Sequence, residues 1–281
     1  MILDGREVSK AVRERLKQEV QVIKSKRGFP PGLAVILVGQ DPASQVYVRN
    51  KEKACESLGI YSVRVDMDAS SSEESVLKQI RAFNDDPKID GILVQMPVPA
   101  QIRSEKVLET ISPDKDADGL TTFNMGLLWV GKKKVVSCTP LGVMRILEHY
   151  NIPIAGKNVV VIGRSQIVGK PMAHLLSEAN ATVTVCHSKT ENMQDHLRRA
   201  DIVVVAAGKK RFLGKDDFKQ GSVVIDVGIH GSGSGGSVCG DVRFEELEGW
   251  VSAATPVPGG VGPMTITTLL ENTVNLAKLR K

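Results

Sequence analysis

Asn158-Val159-Val160-Val161-Ile162-Gly163-Arg164-Ser165-Gln166-Ile167-Val168-Gly169-Lys170-Pro171 is the stretch that decides the fold class. Its opening is a continuous β-branched run, the composition of a strand buried on both faces of a parallel sheet. Gly163 permits a tight turn out of that strand and Gly169 permits close packing. The helix expected from Met172 to Glu178 then presents free N–H groups to a phosphate. The turn is not a full GxGxxG, and many α/β loops with two glycines bind nothing, so it names no ligand by itself.

The next strand sharpens the reading. Thr182-Val183-Thr184-Val185-Cys186 ends in His187-Ser188-Lys189-Thr190, where an NAD-selective site would carry a carboxylate for the ribose hydroxyls. Ser188, Lys189 and Arg164 instead offer a hydroxyl and two cations, which suit a 2′-phosphate and favour NADP. Strands expected at Ile202 to Ala206, followed by Gly208, and at Val223 to Asp226, followed by Gly228 and Ile229, complete a doubly wound sheet. The backbone after those two strands would line the nicotinamide side.

The N-terminal half repeats this alternation. A helical pattern from about Val8 to Lys24 precedes a strand, Leu33 to Val38, and the turn Gly39-Gln40-Asp41-Pro42. Asp41 as N-cap with Pro42 opening the helix is a sound start signal. A strand from Ser62 to Met67, a helix capped within Ser70 to Glu74 and running to about Asn84, and a buried strand from Ile89 to Gln95 complete a βαβαβ unit. Open α/β sheets bind ligands at strand C-termini. Gln95 therefore stands at a ligand-facing edge, or else caps backbone groups in the Met96-Pro97-Val98-Pro99 turn.

At about 100° per residue, Tyr47, Lys51, Ala54, Cys55 and Leu58 fall on one helical stripe. A lysine on an apolar stripe must snorkel, find a partner or have its pKa lowered, and the last is what a catalytic lysine needs. The helix alone leaves these alternatives open.

Composition bounds the function classes. The chain of 281 residues is long enough for two domains and has the apolar and charged fractions of a soluble globular protein. No apolar run is long enough to span a bilayer and the N-terminus lacks a signal pattern, so no membrane role and a cytoplasmic location are expected. The four cysteines form no CxxC pair and the histidines show no ligand spacing, so neither disulfides nor a metal is expected. The net charge of +5 suits an anionic partner, but no basic stripe interleaved with aromatics marks nucleic-acid binding. Lys132-Lys133-Lys134 reads as an exposed hairpin or loop end.

Ser232 to Ser237 reads as a flexible linker-like loop. In contrast, Thr255-Pro256-Val257-Pro258-Gly259-Gly260-Val261-Gly262-Pro263-Met264-Thr265 has six Gly or Pro among eleven residues and no charge. Such a loop should be held against another domain or a flat ligand before the closing helix, expected from Ile266 to Lys278.

Five motifs in order resemble the bifunctional methylenetetrahydrofolate dehydrogenase/methenyltetrahydrofolate cyclohydrolase family. They are Tyr47 with Lys51, Gly91 to Pro97, Pro113-Asp114-Lys115-Asp116-Ala117-Asp118-Gly119, Gly163-Arg164-Ser165 with Val168 to Pro171, and Pro256 to Thr265. Ser137 departs from the proline usual there. The resemblance implies an N-terminal α/β catalytic domain, residues 1–120 with 266–281 packing back on it. A Rossmann-type NADP-binding domain, residues 121–265, would face it across a cleft. It also implies a homodimer acting on tetrahydrofolate derivatives, polyglutamated forms included, in one-carbon metabolism.

For the site, the resemblance implies Lys51 as the proton-handling amine, Gln95 holding it, Tyr47 against the aminobenzoate ring and Asp118 on the pterin. Out of that context, Asp118 reads as an Asp-Gly turn residue. Pro258, Gly259 and Thr265 would complete the substrate site, and Gly163, Arg164, Ser165, Gly169, Ser188, Gly208 and Ile229 the cofactor site. The rivals are a shikimate-type NADP dehydrogenase, which leaves the Tyr47, Lys51, Gln95 and Asp118 set unexplained, and a non-catalytic NADP-binding regulator.

Overall fold

The computed structural model describes residues 1–231 and 238–280; the Ser232 to Ser237 loop lies outside the described residues. In chain order, α1 (Gly5–Arg27), β1 (Gly32–Val38), α2 (Pro42–Leu58), β2 (Tyr61–Met67), α3 (Glu73–Asp85) and β3 (Gly91–Val94) form the first alternating set. Then come α4 (Ser104–Thr110), α5 (Thr122–Trp129) and α6 (Cys138–His149). The second set is β4 (Asn158–Ile162), α7 (Gly169–Glu178), β5 (Thr182–Cys186), α8 (Met193–Leu197), β6 (Ile202–Val205), β7 (Val223–Asp226), β8 (Ala253–Ala254) and α9 (Val261–Leu279).

The strands form two parallel sheets, ordered β2-β1-β3 and β5-β4-β6-β7-β8. Every residue of β1 is buried, because period-2 alternation sends its side chains into two layers. Leu33, Val35 and Leu37 join a cluster with Val48, Cys55 and Leu58 of α2 and Leu270 of α9. Ala34, Ile36 and Val38 join Val76, Leu77, Ile80 and Phe83 of α3. In the larger sheet, β4 lies between β5 and β6, so the chain reverses its direction of winding there. The ends of β4 and β6 thus flank the switch point where such sheets take ligands.

Start signals operate as the residue types require. Asp41 accepts a bond from Ser44 N at 2.8 Å and Ser72 accepts one from Ser75 N at 3.2 Å. Lys132 and Lys133 are exposed in the loop after α5.

Three expectations are corrected. The final helix begins at Val261 rather than Ile266, because Pro263 sits in its first turn, where a missing N–H leaves no bond unmade. The larger sheet gains β8, bridged in turn by Ile2. The chain divides into a unit of Met1–Lys10 with Thr139–Thr265 and a unit of Ala11–Cys138 with Ile266–Lys281, not at residue 120. Hydrogen bonding and packing explain the shift: Asn124 donates to Pro113 O and Asp116, Val135 and Cys138 join the β1 core, and Leu3 N bonds Ala254 O. Among the described residues no helix is long and apolar enough to cross a membrane.

Candidate functional site

In the unit of Ala11–Cys138 with Ile266–Lys281, Lys51 is only 8% exposed, flanked on α2 by buried Val48, Ala54, Cys55 and Leu58. It does not snorkel. Its Nζ donates to Gln95 Oε1 at 2.8 Å, while Gln95 Nε2 donates to Met96 O at 2.8 Å. Gln95 therefore both secures the turn after β3 and grips the amine. Burial lowers the Lys51 pKa, opposed by the Asp118 carboxylate and the Cys138 and Cys55 thiols. Burial likewise raises the Asp118 pKa, with the Lys51 ammonium pulling it back down. Tyr47, one turn before Lys51, is half-buried, and burial raises its phenol.

Asp118 reaches this neighbourhood because other residues build its loop. Buried Asp116 accepts from Gly119 N at 2.9 Å and Leu120 N at 3.1 Å through one oxygen. Its other oxygen accepts from Thr121 N at 2.8 Å and Asn124 Nδ2 at 2.9 Å. Gly119 has φ 69°, and a Cβ there would stand 2.6 Å from the Val136 carbonyl carbon, so glycine is required. Asn272 of α9 donates to Ala117 O and Val136 O, both at 2.9 Å. The Ser137 hydroxyl donates to Gly119 O at 3.3 Å, a bond proline has no group to make. Asp116 lies inside the quoted motif, but nothing local to the sequence distinguished its inward role from that of Asp118. Asn272 carries no local signal at all.

The unit of Met1–Lys10 with Thr139–Thr265 holds the second constellation. Gly163 has φ 121°, and a Cβ there would meet Ala206 O at 2.3 Å; one at Gly169 would meet Gly163 O at 2.2 Å. Neither position has room for a side chain, so the turn between β4 and α7 requires glycine at both. The Ser165 hydroxyl accepts from Val168 N at 3.2 Å and Gly169 N at 3.4 Å, capping α7. Arg164, Ser188, Lys189, Gly208 and Ile229 are all exposed.

Pro258 follows a cis peptide bond, and Gly259, with φ 115°, lies against the Arg6 guanidinium. Thr265 Oγ1 and Thr139 Oγ1 share a bond of 3.0 Å within α9 and α6. Cys55, Cys138, Cys186 and Cys239 are free thiols. Among the described residues no group of three His, Cys, Asp or Glu side chains is placed to hold a metal ion.

Comparison with known proteins gives the arrangement its family. Residues 3–118 match the model of the tetrahydrofolate dehydrogenase/cyclohydrolase catalytic domain, and residues 137–281 match that of its NAD(P)-binding domain. The bifunctional protein FolD of Bdellovibrio bacteriovorus is 56% identical over 280 residues, covering 100% of this chain and 97% of its own. The crystal structure of the bifunctional FolD dehydrogenase/cyclohydrolase from Campylobacter jejuni superposes with a TM-score of 0.96 at 48% identity, covering 100% and 99% of the two chains. The FolD structure from Trypanosoma brucei, complexed with NADP cofactor and an inhibitor, gives 0.96 at 38% identity, with the same coverage. These matches set aside both the shikimate-type and the non-catalytic reading: the chain belongs to the tetrahydrofolate dehydrogenase/cyclohydrolase family of bifunctional enzymes.

Proposed function

We propose that the protein oxidises 5,10-methylenetetrahydrofolate with NADP and hydrolyses the resulting 5,10-methenyl compound to 10-formyltetrahydrofolate, with Lys51 as the proton carrier of the second reaction. The observation that carries this reading is the buried Lys51 amine bonded to Gln95 beside Asp118. NADP, when bound, supplies the acceptor for the two electrons and hydrogen leaving the methylene carbon. The chain's own part in that step is positioning, because the folate nitrogens assist the departure.

Hydrolysis needs more from the protein. Water adds to the methenyl carbon and loses one proton to give a neutral hydroxyl adduct; the bond to N5 then breaks as N5 is protonated and the hydroxyl gives up its proton to become the formyl carbonyl, so one proton is released overall. Burial and an adjacent substrate cation both lower the pKa of the amine, which favours the neutral form that takes the water proton and then returns it. Gln95 fixes the amine through its carbonyl oxygen, so the lone pair keeps its orientation. Tyr47 bounds the aminobenzoate side, and Asp118 accepts bonds from the aminopyrimidine edge of the pterin. We also assign Pro258, Gly259 and Thr265 to folate binding.

For the cofactor, Gly163 and Gly169 make the phosphate cradle, with Ser165 holding α7 in register. Arg164 and Ser188 meet the 2′-phosphate, and Gly208 and Ile229 line the nicotinamide end. We further read the protein as a cytoplasmic homodimer that accepts polyglutamated folates. The deciding assay mixes purified protein with methylenetetrahydrofolate and NADP. The methenyl chromophore should form and then decay to the formyl product, and a protein that produced neither change would refute the reading.

A further inference from the structure

After β6 ends, the backbone N–H groups of Ala207 and Gly208 have no strand to pair with. Both donate to one oxygen of Asp241, at 2.7 and 2.9 Å. Gly208 has φ 64°, and beyond its chain neighbours no atom lies within 4 Å of where its Cβ would stand, whereas Ala207 packs against the sheet's core. The other oxygen of Asp241 is 2.7 Å from His230 Nε2, at the end of the loop that follows β7. Gly228 of that loop comes so close that a Cβ would stand 2.3 Å from Asp241 Oδ1. One fully buried carboxylate thus ties together the two loops that leave β6 and β7.

Asp241 is itself held from below. Asp226, the last residue of β7, accepts from Asp241 N at 3.1 Å, Val242 N at 2.9 Å and Gly228 N at 2.9 Å. Asp226 N in turn donates to the Thr255 hydroxyl beyond β8 at 2.8 Å. The Asp241 carbonyl accepts from Phe212 N at 2.5 Å and Leu213 N at 3.2 Å, and His230 exchanges backbone bonds of 2.8 and 3.0 Å with Cys239. The brace therefore runs from the sheet edge at Thr255, through Asp226 and Asp241, to the two loop tips.

We infer that Asp241 is a positioning residue for the dehydrogenase reaction, holding the Ala207-Gly208 turn and the Gly228-Ile229-His230 turn at the spacing that receives the nicotinamide end of the cofactor. The inference rests on the reading, given above, that Gly208 and Ile229 line that end. Asp241 touches neither cofactor nor folate and acts through the backbone it holds. Its loss therefore acts on oxidation and spares hydrolysis, a separation that a general stabilising role would not produce.

The test measures NADP affinity, dehydrogenase kinetics and cyclohydrolase activity on methenyltetrahydrofolate supplied directly, for Asp241→Asn, His230→Ala and Ile229→Ala in the full chain. Asp241→Asn should lower dehydrogenase kcat/KM for NADP by about tenfold or more while hydrolysis stays within about twofold of wild type. If Asp241→Asn fails to fold, His230→Ala, which removes one tie at the loop tip, is read in its place. It should lower dehydrogenase kcat/KM for NADP by roughly threefold or more and likewise spare hydrolysis.

Unchanged oxidation in the variant that is read, or parallel loss of both activities, overturns the inference. Ile229→Ala reports on the underlying reading: it should weaken NADP. Weaker NADP in Ile229→Ala alongside unaltered oxidation in Asp241→Asn would refute the positioning role alone. Wild-type NADP binding in Ile229→Ala would refute the loop assignment and the positioning role with it.

Discussion

Asp116 and Asp118, two residues apart in one loop, have opposite assignments. Asp116 spends its carboxylate on four donors of its own loop, at Gly119, Leu120, Thr121 and Asn124, whereas Asp118 has the Lys51 amine and the Cys138 thiol as its electrostatic neighbours. The first builds the turn that carries the second to the Lys51 amine. Their substitutions should accordingly fail in different ways.

Asp118→Ala should leave the thermal midpoint near wild type and raise the folate KM by about 10- to 100-fold, the loss of an acceptor to a buried donor pair on the substrate. Asp116→Ala should instead strand buried backbone donors and cost about 3 kcal/mol or more of stability, read from urea denaturation. Equal losses of folate and NADP affinity in Asp118→Ala, measured by calorimetry, would make Asp118 a turn residue after all.

Lys51→Met keeps the bulk of the stem and removes the amine. Cyclohydrolase activity should fall about 100-fold or more, the usual scale of proton-transfer catalysis, with the circular dichroism spectrum preserved. Dehydrogenase activity should fall less, because oxidation asks the site chiefly for orientation. Hydrolysis at the wild-type rate by a folded Lys51→Met protein would remove Lys51 from the mechanism.

Arg164 is exposed beside the β4 turn, and the His187-Ser188-Lys189-Thr190 stretch after β5 contains no carboxylate. A charge-assisted bond to a 2′-phosphate contributes about 1.5–3 kcal/mol, so wild type should prefer NADP over NAD by roughly tenfold or more. Arg164→Ala should narrow that ratio through NADP rather than NAD. The comparison of kcat/KM for the two cofactors needs repeating with phosphate and magnesium, which can fill an empty phosphate site; preference for NAD under every condition would contradict the assignment.

Asp226 gives a pH signature of stability. Burial, opposed by the Val242, Asp241 and Gly228 N–H groups, pushes its pKa from 3.8 up to about 6. Between those values the native state still binds a proton that the unfolded chain has released. Its contribution to stability therefore declines as pH rises through that window and is constant above it. Asp226→Asn, a mimic of the protonated form, should flatten this part of the profile. Urea midpoints that fall equally steeply in both proteins would exclude Asp226 as the source.

Much of the architecture follows from local chemistry alone. The β-branched runs at Asn158–Ile162, Thr182–Cys186 and Val223–Asp226 are strands over those spans. Asp41 before Pro42 starts a helix, and the stripe through Lys51 is its buried face. Each depends on neighbours within a few residues, where side-chain periodicity and capping geometry act. The glycines at 163 and 169 are legible for the same reason, since a strand-to-helix turn leaves no room for a Cβ.

Only the tertiary structure decided which partners those elements meet. The grip of Gln95 on Lys51 spans 44 residues of chain, the bracing of the Ala117 and Val136 carbonyls by Asn272 spans up to 155, and the hold of Asp241 on Ala207 spans 34. Sequence marked Lys51 as a buried amine with its fate open, and Asp118 as a turn residue outside its family context. Burial and the long-range bond to Gln95 resolved the first. A buried polar group must find a partner somewhere, but its local sequence states only the need, while the folded chain selects the group that meets it.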